Sequence, residues 1–185
     1  YLFLFVIFLN LCESMAQVSS YQLVQDMGRG LNLGNVLSAP VEGNWAPVVY
    51  EQYFIDVKNE GFSNVRIPVD FYGNRTTGST ASFSILSGTA SNYNGTISDF
   101  IVSQTYLDRL QTVVDWSISQ GLYTVIDFHG AQLKSEFLTT FEISEPNYSS
   151  PSSEKRAADL MKFKSIWTAI ANKFINYPET LIFEV

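Results

Sequence analysis

Apolar and polar positions fall into blocks that repeat along the chain. Leu31 to Leu33 is a short apolar run. Pro47 then opens a stretch with apolar residues at helical spacing, Tyr50, Phe54 and Val57, closed by Gly61. Asn64-Val65-Arg66-Ile67-Pro68-Val69 follows as a strand. A second helix is predicted from Thr105 as N-cap, with Asp108 three residues on, through Leu110, Val113 and Val114 to Gly121. Tyr123-Thr124-Val125-Ile126-Asp127-Phe128-His129 comes next as an apolar strand whose far end turns polar. A third helix from Pro151 places Leu160, Phe163, Trp167, Ile170 and Phe174 on one stripe and leads into the strand Leu181-Ile182-Phe183-Glu184-Val185. The order is βαβαβαβ.

Connection lengths separate the two folds compatible with that order. Helix-to-strand links are short and alike, Gly61-Phe62-Ser63 and Gly121-Leu122-Tyr123, whereas strand-to-helix links are long, from Val69 to Gln104 and from Gly130 to Ser150. Elaborated loops on one face only are the pattern of a (β/α)8 TIM barrel enzyme. A doubly wound nucleotide fold needs a phosphate-binding glycine loop after its first strand, and Leu31-Asn32-Leu33-Gly34-Asn35 is not one. The expected class is α/β, a (β/α)8 barrel of which this chain covers about the first four β/α units. The Ser-, Thr-, Gly- and Asn-rich stretch from Asn74 to Phe100 is a loop inserted after the second strand.

Polar residues interrupt the apolar strands at a few positions. Side chains alternate faces along a strand, so Val125, Asp127 and His129 point one way while Thr124, Ile126 and Phe128 point the other. Arg66, Asp127, His129 and Glu184 would form a polar column on the inner face, near the carboxyl ends of strands where barrel chemistry sits. Arg66 needs an acidic partner or a substrate oxygen if buried. For Asp127 and Glu184 the alternative is an ion pair with Arg66 that only fixes the barrel. Trp45, Phe71, Tyr72, Tyr93 and Tyr148 could stack on sugar rings or simply pack loops, with Trp45 the strongest candidate because it lies beyond the first strand. Zinc would need companions for His129 that are absent from the pattern, so no metal is expected, and the lack of a G-x-S-x-G turn argues against a Ser-His-Asp triad. No cofactor is expected.

Composition narrows the setting. Tyr1 to Leu11 is almost wholly apolar, and Ser14-Met15-Ala16 is a small-x-small pattern, so residues 1–16 read as a signal peptide and 17–185 as the mature segment, exported and not membrane-bound after cleavage. The single cysteine, Cys12, lies in that leader. The net charge of −7 becomes −6 once Glu13 leaves with the leader, which argues against nucleic acid as a partner. Sequons at Asn74, Asn94 and Asn147 suit surface loops of an exported glycoprotein. A monomer is expected.

With these residues in view, the chain resembles the amino-terminal half of a glycoside hydrolase family 5 enzyme of the cellulase (endo-β-1,4-glucanase) type. The resemblance rests on Gly30-Leu31-Asn32-Leu33-Gly34-Asn35, on Gly61 to Val69, on Gly121 to His129 and on Tyr177-Pro178-Glu179-Thr180-Leu181-Ile182-Phe183-Glu184-Val185, four segments in order across most of residues 28–185. It implies a barrel that hydrolyses β-1,4-linked polysaccharide with retention of configuration, using two glutamates. It implies that Arg66 supports the nucleophile and that His129 lines the subsite of the cleaved sugar; Asn35, in the first matching segment, and Trp45, on the loop beyond the first strand, are the further substrate-side candidates. The family's Asn-Glu-Pro motif follows the strand that begins at Leu181. The acid/base and the nucleophile are therefore expected beyond Val185, Glu184 is not the acid/base, and the segment alone is expected to be inactive. Retention needs two carboxyl groups about 5 Å apart, and no pair here suits, since Asp127 sits deep in its strand and Glu136 falls on a loop expected to be mobile. The rival reading is a non-catalytic carbohydrate-binding glycoprotein on the same barrel.

Overall fold

The computed structural model describes residues 19–81, 83, 93–137 and 154–185. The expected leader, Asn147 and Tyr148 lie outside the described residues. Among the described residues, five α-helices and four strands follow in the order α1 (Ser20–Met27), β1 (Gly30–Asn32), α2 (Glu51–Asn59), β2 (Asn64–Val69), α3 (Gln104–Ser119), β3 (Tyr123–Phe128), α4 (Leu133–Phe137), α5 (Glu154–Phe174) and β4 (Leu181–Glu184). The strands form one parallel sheet in the order β1-β2-β3-β4. Sequential parallel neighbours with no reversal leave no topological switch point, which is barrel topology and not that of a doubly wound sheet.

The short links are built the same way twice. Gly61 and Gly121 follow their helices at φ +78° and +67°, a left-handed conformation that costs other residues more than glycine. Phe62 N–H then donates to Val57 O and Gly61 N–H to Lys58 O, while Leu122 donates to Ser117 and Gly121 to Ile118. Both are Schellman endings, so each helix stops at a fixed place and the next strand starts two or three residues later.

Pairing register assigns the two faces of the sheet. Leu31 aligns with Val65, Val65 with Thr124 and Thr124 with Leu181, whereas Asn32 aligns with Arg66 and Asp127 with Glu184. The first set faces the helices. There Val65, Ile67, Val69 and Ile126 are fully buried against Phe54 and Val57 of α2, Leu110, Val113 and Val114 of α3, and Ile166 and Ile170 of α5. Truncating one of these to alanine costs about 2–5 kcal/mol. The second set, with Asn32, Arg66, Asp127 and Glu184, faces what is the barrel interior.

Several expected boundaries move. The helix predicted from Pro47 begins at Glu51, because Tyr50 is extended and Val49 before it is tied down: the Val49 N–H donates to Glu42 Oε1 and its carbonyl accepts from Arg109. The N-cap of α3 is Ser103 and not Thr105; the Ser103 hydroxyl accepts from Tyr106 N–H. Glu136, expected on a mobile loop, is buried within α4, where Lys162 and Thr80 hydrogen-bond its carboxylate. On α5, Leu160, Phe163 and Trp167 are only half-buried, and the buried face includes Lys155, Asp159, Lys162 and Ile166. The amino-terminal half of α5 packs on α4 and Thr80 through charged groups, so its buried stripe there is not apolar. Helix α1 carries no apolar signal read in advance and none of its residues is buried.

Candidate active site

Four strands place one polar side chain each on the inner face, and these meet at Arg66. Its Nε and Nη2 donate to both oxygens of Glu184, at 2.6 and 3.0 Å, a bidentate pair. Nη2 also lies 2.6 Å from Asp127 Oδ2, and Nη1 donates to Asn32 Oδ1 at 3.0 Å. Asp127 Oδ2 meets His129 Nδ1 at 3.0 Å as well. The polar column read from the sequence is thus a connected network that spans β1 to β4 and ends at His129.

Exposure grades the network from floor to rim. The Asp127 side chain is 6% accessible, Arg66 31% and His129 50%. Burial pushes the Asp127 carboxyl above its ordinary range, against the pull of Arg66 and His129. The Glu184 carboxyl moves the other way, held below its ordinary range by the hydrogen bonds from Arg66. Both carboxylates are directed at one guanidinium. Neither is placed as a free acid, which agrees with reading them as partners of Arg66.

The end of β2 fixes the segment that carries His129. Both His129 N–H and Gly130 N–H donate to Val69 O, at 3.1 and 3.2 Å. The next residue, Asp70, is buried and accepts from Tyr72 N–H at 3.0 Å and Gln132 N–H at 2.5 Å, so one carboxylate ties the loop after β2 to the loop after β3. Burial raises its pKa although backbone hydrogen bonds pull it down. Arg75 completes the tie to the loop after β1. Its guanidinium, buried and stacked 4.2 Å over the Tyr106 ring, donates to the carbonyls of Leu37, Asp70, Ala39 and Pro40. Tyr106 hydroxyl donates to Leu37 O. Asn32, Asp70, Arg75 and Tyr106 were not singled out in the sequence. An aspartate directly after a strand and an arginine inside a sequon are the only local signals they leave.

A second polar cluster lies beneath the same loops. Lys155 bonds Asp159 at 2.7 Å, Lys162 bonds Glu136 at 2.6 Å, and the Thr80 hydroxyl contacts both carboxylates. It fastens the loop after β2 to α4 and α5.

The remaining candidates stand apart from the Arg66 network. Asn35 is exposed in the turn after β1 at φ +65°, a conformation asparagine tolerates, while Asn32 is the residue of that segment that touches Arg66. Trp45 is 44% exposed on the loop after β1. Phe71 is fully buried, stacked on Phe128 and edge-on to Tyr106, so it packs a loop and is closed to a sugar ring. Tyr72 is exposed, and Tyr93 is half-buried edge-on to Phe83. Asn74 and Asn94 are exposed as a sequon requires. Beside His129 an apolar cavity of about 390 Å³ is lined by Phe128, Leu133, Phe137 and Phe163. Among the described residues no group of three or more His, Cys, Asp or Glu could hold a metal, and no helix is long and apolar enough to cross a membrane.

Comparison with known proteins agrees with this geometry. Residues 28–185 match the family model for cellulase, glycosyl hydrolase family 5. Endoglucanase H of Acetivibrio thermocellus is 32% identical over 94% of this chain, which spans 15% of that protein. A broad specificity endoglucanase of Clostridium acetobutylicum superposes with TM-score 0.65 at 29% identity, over 90% of this chain and 41% of its own. A family 5 xyloglucanase from Paenibacillus pabuli does so with TM-score 0.62 at 32% identity, over 88% of this chain and 39% of its own.

Proposed function

The chain belongs to glycosyl hydrolase family 5, and on that premise we propose that the whole protein is a secreted endoglucanase that hydrolyses β-1,4-linked glucan by a retaining double displacement. The observation that carries this reading is the Arg66 network: a guanidinium held by Asn32, Asp127 and Glu184, with His129 at its open end, on the inner face of a parallel sheet. In this reading Arg66 presents fixed positive charge to the nucleophilic carboxylate and keeps it ionised. His129 contacts the sugar whose bond is cleaved. Trp45 and Asn35 line the substrate side of the loop after β1. The acid/base and nucleophile come from the remaining β/α units of the whole protein, so residues 17–185 alone do not hydrolyse glucan. Residues 1–16 direct export, Asn74, Asn94 and Asn147 are glycosylation sites, and the enzyme acts as a monomer without a cofactor.

The test is reducing-end release from a soluble cellulose derivative by the full-length protein. Arg66→Ala lowers kcat more than it raises KM, because its partner changes charge during the reaction. His129→Ala alters both, as a contact made in the ground and transition states. Near-parental turnover by Arg66→Ala would reject its role. Glucan binding with no hydrolysis by the parent would favour the non-catalytic carbohydrate-binding protein instead.

A further inference from the structure

One carboxylate oxygen, Asp127 Oδ2, serves both Arg66 and His129. Arg66 Nη2 approaches it at 2.6 Å and His129 Nδ1 at 3.0 Å. A guanidinium has only donors and stays protonated, so Oδ2 acts here as an acceptor. An unprotonated Nδ1 would set its lone pair against that oxygen. The ring is also held in place by its backbone, since His129 N–H donates to Val69 O at 3.1 Å and to Asp127 O at 2.8 Å.

We propose that Asp127 is a positioning residue that fixes neutral His129 as the Nδ1–H tautomer, so that Nε2 offers a lone pair to the cleft and accepts a hydrogen bond from a sugar hydroxyl. This deepens the glucan-hydrolase reading and rests on it for the identity of the hydroxyl. The two ends of the arrangement differ as that role requires: Asp127 is 6% accessible and His129 50%. Among the described residues Nε2 makes no hydrogen bond, while Nδ1 is engaged. A neutral imidazole has one donor nitrogen and one acceptor, and the bond at one nitrogen decides the other. Glu184 does not share this role: both of its oxygens accept from Arg66, and among the described residues it makes no hydrogen bond to His129. Loss of Asp127 therefore leaves Arg66 paired but deprives His129 of its side-chain partner. Sugar hydroxyls can donate or accept, and this geometry selects the donating mode.

The experiment is nuclear magnetic resonance of the full-length protein labelled with 15N-histidine, His129 being assigned by the signal lost in His129→Gln. In the parent, with the ring neutral, Nδ1 shows a pyrrole-type shift and Nε2 a pyridine-type shift. Asp127→Ala converts this to a mixture dominated by Nε2–H, whereas Glu184→Gln leaves it unchanged. Asp127→Asn keeps Nδ1–H, since the amide oxygen still accepts, but moves the Nδ1 proton upfield because the acceptor is now neutral. Added cellobiose shifts Nε2 in the parent far more than Nδ1. In the same proteins Asp127→Ala lowers kcat/KM on soluble glucan by about 10²-fold, the scale of a misplaced contact, and the loss does not add to that of His129→Ala. An Nε2–H ring in the parent, or an unaltered tautomer in Asp127→Ala, overturns the proposal. Should Asp127→Ala fail to fold, an unmoved Nδ1 proton in Asp127→Asn does the same. The ring signals are read whether or not the parent hydrolyses glucan, so failure of the hydrolase reading shows separately in the activity assay.

Discussion

Replacing Glu136 with alanine strands a cation in the interior. Lys162, at 1% exposure, donates to Glu136 Oε1 at 2.6 Å, and Thr80 N–H donates to the same oxygen at 2.8 Å. Breaking a buried pair by removing one partner costs about 3–5 kcal/mol, because the remaining charge is left without compensation. The unsatisfied Thr80 amide adds about 1–3 kcal/mol, offset in part by relaxation of the loop toward water. Glu136→Ala is thus expected to lose about 4 kcal/mol or more, a large share of a typical domain's stability. The double variant Glu136→Gln/Lys162→Met separates charge from packing. The introduced glutamine retains an acceptor for Thr80 and the introduced methionine fills the lysine stem's volume, so the double variant should lie within about 1 kcal/mol of the parent. Urea unfolding of the full-length protein, followed by the midpoint at unchanged slope, measures the parent, Glu136→Ala, the double variant and its two single variants, Glu136→Gln and Lys162→Met. A Glu136→Ala cost below about 1 kcal/mol would show that Lys162 is not held by this carboxylate. So would a double variant no better than the sum of its parts.

Three further outcomes can be checked on the same protein. Arg75→Met removes the donor for the carbonyls of Leu37, Asp70, Ala39 and Pro40, and should cost at least about 3 kcal/mol in urea unfolding, a loss under about 1 kcal/mol counting against the clamp. Gly121→Ala meets nothing nearer than Lys58 Nζ at 3.8 Å, so its expected cost of about 1–2 kcal/mol is conformational, and a neutral result would contradict the left-handed assignment. The Arg109 guanidinium holds the Glu42 carboxyl below its ordinary 4.5, so the pair's contribution is complete above that value and is lost as pH falls through the folded pKa. Glu42→Gln should therefore flatten the acid limb of the stability curve relative to the parent. Parallel acid limbs would refute it.

The sheet was legible in the sequence because its signals are local. Gly61 and Gly121 end their helices through backbone bonds within six residues, and the alternation of Thr124, Ile126 and Phe128 with Val125, Asp127 and His129 needs no partner to be read. The inner polar column was legible for the same reason, since Arg66 and Glu184 stand out against apolar neighbours. What escaped depends on distant partners. The start of α2 is delayed by Glu42 and Arg109 acting on Val49, and nothing near Pro47 announces it. Glu136 looks like a loop carboxylate until Lys162 and Thr80 surround it. Asn32 and Asn35 are equally polar and three residues apart; register alone, pairing Asn32 with Arg66, puts one in the network.

Those long-range partners follow a rule of their own. On the face of the short links, backbone geometry suffices to place each strand. On the opposite face the loops are long and must be fixed without regular strands, and there buried charge is added to apolar packing such as that of Leu37 and Phe71. Arg75 gathers the carbonyls of the loop after β1, Asp70 accepts from the loop after β3, and Thr80 joins the loop after β2 to Glu136 and Asp159. Apolar packing has no direction, so it would hold such loops in several arrangements, whereas hydrogen bonds to buried charges fail if the loop shifts by an ångström or two. His129 is carried by one of these loops and contacts a carboxylate on the rigid sheet. Its position therefore depends on both, the strand through Asp127 and the loop frame through Val69 and Asp70, which is why substitutions at Asp70 or Arg75, remote from the inner face, should disturb the ring as well as the fold.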